Sequence, residues 1–199
     1  MATFTFTLDS FKITDTRSRH EDTDYVSFTL LVKSATGAGT PQTVTKYMGD
    51  VNNGTFPVNL TFSKIAVGPA DTVVLNYLIV NSGHKNPSQV VSTLESAGSK
   101  LATEAGTAAG AAIGSVIPGL GTALGAIAGW LAGELTSMLN ANCDGAVAAE
   151  QNTFPYNDLT AKTAHGTFSH TTKHNGTDSP HGCGSNSVYY VTWHMQQDK

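Results

Sequence analysis

Histidine and cysteine crowd the last third of the chain, where His165, His170, His174, His181 and His194 are interleaved with Cys183. Imidazole moves protons near neutral pH, and imidazole and thiolate are both zinc ligands. His170 and His174 lie four apart, a spacing that on a helix puts two ligands on one face. Thr171, Thr172 and the Asn175-Gly176 pair oppose a helix there, and no CxxC or HExxH pattern accompanies them. These residues read as solvated loop histidines whose protonation near acid pH would shift a covering loop.

A second group, Asp15, Glu21, Asp22 and Asp24 around Arg17 and Arg19, precedes a strand. Carboxylates in a loop at a sandwich end are calcium ligands by type, but the interleaved arginines satisfy the same oxygens, so mutual salt bridging is expected. His170, His174, His181, Asp22 and Asp24 are thus metal candidates by residue type alone, and no cofactor is expected. Cys143 and Cys183 are a disulfide candidate. There is no G-x-S-x-G elbow, P-loop or G-x-G-x-x-G fingerprint, and Cys183 in Gly-Cys-Gly reads as a turn rather than a nucleophile, so an enzyme is not expected.

The stronger signal is glycine. Gly106, Gly110 and Gly114 recur every fourth residue, then, after Pro118-Gly119, so do Gly121, Gly125, Gly129 and Gly133. Four residues is slightly more than one helical turn, so each set lays a groove of bare backbone along one helix face. Such grooves let helices approach closely, which matters most in lipid, where association depends on van der Waals contact. In water each glycine costs about 0.8–1 kcal/mol against alanine in a helix interior, so the set costs on the order of 6 kcal/mol and needs an offset. Ile113, Val116, Ile117, Leu124, Ile127 and Leu131 supply apolar surface between the glycines, and no charge occurs between Glu104 and Glu134. Trp130 suits a membrane interface, and Glu134 marks a return to water or faces a water-filled lumen.

Pro118 breaks the segment, so a glycine-zipper helical hairpin is expected over 105–133. It resembles the glycine-zipper hairpins of membrane-active toxins and channel-forming proteins. That resemblance implies insertion into a lipid membrane and homo-oligomerisation through the glycine faces. Each arm is shorter than the roughly 20 residues a span requires. A re-entrant hairpin, a straightened span, an oligomeric pore and permanent burial of the pair all remain open.

The elements that must carry this segment are strands. Thr3 to Leu8 alternates Phe4, Phe6 and Leu8 with threonine, and similar runs occur at 25–32, 43–48, 58–62 and 72–80, separated by turn clusters such as Asn53-Gly54. After Gly83 the period changes to helical, with Ser88 as N-cap before Val91, Leu94, Ala97 and Leu101. A strand is expected near 166–170 and another at 187–193. The fold class is therefore α+β: an antiparallel, jelly-roll-like β-sandwich built from 1–86 and 141–199, interrupted by a helical region over 88–140, all within a single domain 1–199.

A formal net charge of -4 with 13% charged residues leaves no basic field for a phosphate backbone, so nucleic acid is not an expected partner. MATFTFTLDSF lacks the basic start and apolar run of a Sec signal. The expectation is a protein soluble when made, released, and then membrane-associated. The leading reading is a pore-forming or membrane-disrupting, toxin-like protein. The alternatives are a self-assembling structural protein with the hairpin in a subunit interface, and a ligand-binding sandwich with the hairpin as core.

Overall fold

The computed structural model describes residues 1–18, 21–34, 37–83, 86–105, 143–176 and 187–199. The chain runs β1 (Ala2–Asp15), β2 (Asp22–Ser34), β3 (Gly37–Ala38), β4 (Gln42–Val51), β5 (Gly54–Val67) and β6 (Thr72–Asn81). Helix α1 (Pro87–Ala105) follows, then β7 (Gly145–Pro155), α2 (Tyr156–Thr163), β8 (Phe168–Asn175) and β9 (Val188–Gln197). One sheet has the order β5-β1-β9-β8; the other runs β3-β2-β6-β7, with β4 also paired to β2. All pairings are antiparallel.

Alternation in the sequence explains the layering. Phe4, Phe6, Leu8, Phe11 and Ile13 of β1 enter the core with Tyr189, Val191, Trp193 and Met195 of β9, and meet Val26, Phe28, Leu30, Val73, Leu75 and Tyr77 from the facing sheet. Burying each such side chain contributes about 1.5–3 kcal/mol. Strand β6 instead reads as a nearly continuous apolar run, and almost every residue in it and in the middle of β2 is buried. The reason is α1. Its Val90, Leu94, Ala97 and Leu101 pack with Tyr25, Leu78 and Val80 on the outer face of the five-stranded sheet, which is therefore covered on both sides.

Helix α1 begins two residues earlier than its sequence suggests. Asn86, not Ser88, caps it, because the Asn86 side-chain oxygen accepts from the Ser88 backbone N–H at 3.1 Å and Pro87 occupies the first turn without needing a donor. Gly98 is where the helix rests on β2: an added β-carbon would overlap the Thr29 hydroxyl, and the Asn76 amide donates to the Gly98 carbonyl at 3.3 Å.

The order is not that of a jelly roll, in which the chain wraps repeatedly between sheets. Strands β8 and β9 form a local hairpin in one sheet, closed by a hydrogen bond from Gly176 N–H to the Ser187 carbonyl at 2.6 Å. Two elements had no clear sequence signal. Strand β7 lies in a stretch for which no strand is expected from the sequence, and α2 carries its buried Leu159 and Thr163 across the connection between the sheets.

Each open edge of the sandwich is joined by a polar side chain. At one edge the Lys46 ammonium of β4 donates to the Pro57 and Val58 carbonyls of β5 at 3.2 and 2.9 Å. Those carbonyls lie beside a register shift where Asn59 takes φ 56. A bulge leaves backbone groups outside the ladder, and here they serve the neighbouring sheet.

Candidate functional site

The strands on either side of the insertion are direct neighbours: β6 ends at Asn81 opposite Gly145 at the start of β7. The chain thus leaves and re-enters the sandwich at one end. That end is built from a dense set of buried polar groups. Asp22 accepts from the backbone N–H groups of Arg17 and Ser18, both at 2.7 Å, from the Asn81 amide at 3.2 Å and from the Tyr189 hydroxyl at 2.7 Å. Asn81 also donates to the Cys143 carbonyl at 3.0 Å and accepts from the Thr23 N–H at 2.8 Å. Asp144, opposite, accepts from Ser82 and from the Gly83 N–H. These bonds tie the two stems of the insertion to the first turn of the chain.

Tyr189 bridges Asp22 and its fully buried neighbour Asp24, whose oxygen lies 2.9 Å from the phenol. Burial, with the charge of Asp22 adding to it, pushes the Asp24 carboxyl well above the usual carboxylate range. Burial and the two aspartates likewise push the Tyr189 phenol up. One arrangement uses each hydroxyl once: Asp24 keeps its proton and donates to Tyr189, which donates to Asp22. Arg17 is buried, its guanidinium donates to the Ala146 carbonyl at 3.3 Å, and it lies against Gly145.

A second buried constellation closes the β7–β8 edge. Tyr77 of β6 stands directly across from Glu150 of β7 and donates to it at 2.7 Å. From the facing sheet, the Thr172 hydroxyl donates to the same carboxylate oxygen at 2.9 Å, and His170 Nε2 lies 3.5 Å from the other oxygen and 2.9 Å from Thr172. His174 Nε2 meets the Tyr77 oxygen at 2.6 Å. Burial pushes the Glu150 carboxyl up, but hydrogen bonds from His170, Tyr77, Asn152 and Thr172 outweigh it and hold the group at about 2. The bond to Glu150 raises the His170 imidazole against an opposing effect of burial. Burial lowers His174 to about 4, and burial raises Tyr77.

These shifts fix the protons. An ionised Glu150 accepts from both Tyr77 and Thr172, so those hydroxyl oxygens are left to accept, from His174 Nε2–H and His170 Nε2–H respectively. His174 is thereby a neutral donor deep in the edge. His170, with its side chain 35% exposed, is the end of the chain that reaches solvent.

His170 and His174 are therefore not loop histidines. They sit on β8 and, with Thr172 between them, face inward, two residues apart at each step as a strand's alternation requires. Among the described residues no group of three or more ligand-type side chains could hold a metal ion. Cys143 is disulfide-bonded; Cys183, the other half of the expected pair, lies outside the described residues, as does His181. So do Gly106, Gly110, Gly114, Pro118, Gly121, Gly125, Gly129, Trp130, Gly133 and Glu134, and with them the hairpin expected over 105–133, save Ala105 at the end of α1. No helix among the described residues is long and apolar enough to cross a membrane.

Sequence reasoning missed Glu150, Tyr77, Asn81 and Tyr189. A signal existed for the first: Glu150 is the sole acid in the run Ala146-Val147-Ala148-Ala149-Glu150, and a lone acid in an apolar strand needs buried partners. Compared with known proteins, the sequence matches no family model and no curated protein.

Proposed function

We propose that this chain is a membrane-active protein in which the sandwich carries the segment 105–133 to a lipid bilayer, where its glycine faces pair and oligomerise. One observation carries the reading: glycines at four-residue spacing, on both sides of Pro118, within a stretch that has no charge between Glu104 and Glu134. That pattern is costly in water and useful in lipid. The topology favours it. Because Asn81 pairs with Gly145, the β6–β7 ladder is complete without the segment, which follows α1 and precedes β7 in the chain. The segment can exchange water or protein for lipid without breaking a strand pair.

Dye release from liposomes, measured from neutral to acid pH with and without calcium, tests the reading. Wild type should release dye, and Gly110→Leu with Gly125→Leu should release it roughly tenfold more slowly, since the bulk blocks close helix contact. Unchanged unfolding of the variant would show that its sandwich is intact. Wild type that forms a defined oligomer in buffer and releases nothing would overturn the proposal in favour of assembly. A folded variant that releases dye at the wild-type rate would remove glycine contact from the mechanism.

A further inference from the structure

The two sheets differ on their outer faces. Helix α1 covers the five-stranded sheet, whereas no described element packs on the outer face of the four-stranded sheet. Its composition follows from alternation. Phe11, Ile13, Tyr189 and Val191 point into the core, so Ser10, Lys12, Tyr190 and Thr192 point out. Strand pairing aligns these residues in rows. Thr55 stands opposite Lys12, Lys12 opposite Tyr190, and Tyr190 opposite Lys173, one residue from each of the four strands. The next row sets Ser10 beside Thr192 and Thr192 beside Thr171, whose hydroxyls bond at 2.9 Å.

Together Ser10, Lys12, Thr14, Thr55, Thr171, Tyr190 and Thr192 line a groove of ≈ 360 Å³. That falls in the range of small-ligand sites, about 300–1,000 Å³. No carboxylate lines it. Neither Lys12 nor Lys173 has an ion-pair partner among the described residues. On a chain of net charge -4, two unneutralised lysines flanking one half-buried tyrosine make a local cationic row on a hydroxyl-covered face.

The chemistry of this face selects its ligand. Serine and threonine hydroxyls both donate and accept, as vicinal sugar hydroxyls do. A tyrosine ring offers an apolar surface to the C–H face of a sugar, and two ammonium groups complement one anionic substituent. Two lysines are far fewer than the six to ten phosphate contacts typical of nucleic-acid binding. We propose that the outer face of the four-stranded sheet binds an acidic saccharide, with Lys12 and Lys173 holding its carboxylate or sulfate, Tyr190 its ring face, and Thr171, Thr192 and Ser10 its hydroxyls.

The proposal stands apart from the action on lipid, and its test contains no bilayer. The intact protein is applied to an array of immobilised glycans in which neutral, sialylated, uronic-acid and sulfated members share the same core sugars. Binding should be confined to acidic members and weaken with added salt. Lys12→Gln with Lys173→Gln should lose at least tenfold in affinity for the best of them, with thermal unfolding unchanged because both side chains are exposed. Tyr190→Ala provides an independent arm with a similar loss. Equal binding of neutral and acidic partners, retention of no acidic member, or unchanged affinity in the double lysine variant would each overturn it.

Discussion

Glu150 and His174 illustrate how a buried proton arrangement becomes a dependence of stability on pH. Folded His174 titrates near 4, whereas unfolded it would titrate near 6.5, so as pH falls below 6.5 the unfolded chain gains a proton that the folded one refuses. Stability is therefore lost as pH falls from 6.5 towards 4, by roughly 3 kcal/mol over that window. Glu150, held at about 2 against 4.5, extends the loss at lower pH, because its contribution is present above 4.5 and disappears as the carboxylate is protonated. His170 acts oppositely. Its raised value stabilises the fold when it is protonated, an effect lost as pH rises, but its exposure screens the pair and leaves His174 dominant. Urea midpoints at pH 7 and pH 4.5 should differ in wild type and differ much less in His174→Gln, whose amide can still donate to Tyr77. Equal slopes in the two proteins would show that the cluster does not govern the acid side.

At this scale the sequence was half legible. The spacing of His170 and His174 singled out the right pair for the wrong reason: they face the same way because a strand repeats every second residue, not because a helix repeats every fourth. Their partners, Glu150 and Tyr77, come from strands that meet β8 only across the interior, and no local pattern encodes such a meeting.

Among the elements, α1 makes its closest approach to the sheet at Gly98. Alanine normally favours a helix over glycine by about 1 kcal/mol. Here the new methyl would meet Thr29, and displacement of a packed strand side chain costs about 1–3 kcal/mol, so Gly98→Ala should be net destabilising. Thr29→Ala removes the obstacle. A double-mutant cycle by chemical denaturation should give a Gly98→Ala, Thr29→Ala protein more stable than the two single changes predict; simple additivity would mean that the helix shifts freely on the sheet. The alternation of β1 and β9 and the period change after Gly83 were readable because β1, β9 and α1 each bury one face. The β7 run was not, because its alanines fit a helix as well as a strand and its pairing with β6 is made across a long insertion. Helix α2 has only Leu159 and Thr163 buried, too little for a periodic signal.

For the whole molecule, the pairing of Asn81 with Gly145 makes the sandwich and the segment separable tests. Replacing 106–133 by a glycine-serine linker of about twenty residues, long enough to run back from the end of α1 beside Val74 to the start of β7 opposite Asn81, with α1 kept to cover Tyr25, Leu78 and Val80, should leave the two sheets folded. Near-ultraviolet circular dichroism reports on Trp193 and the buried tyrosines, and its spectrum should survive the replacement while dye release is abolished. Collapse of that spectrum would mean that the segment is part of the core after all.

Strand β9 lies between β1 and β8, so β1 finds one of its two partners only when residues 188–197 have been made. Until then Phe4, Phe6, Leu8 and Phe11 lack the flanking cover of Tyr189, Val191, Trp193 and Met195, while the uncharged stretch rich in glycine, alanine and leucine has already been made. Synthesis therefore passes through an interval in which both apolar surfaces are available to each other and to any nearby bilayer or chaperone.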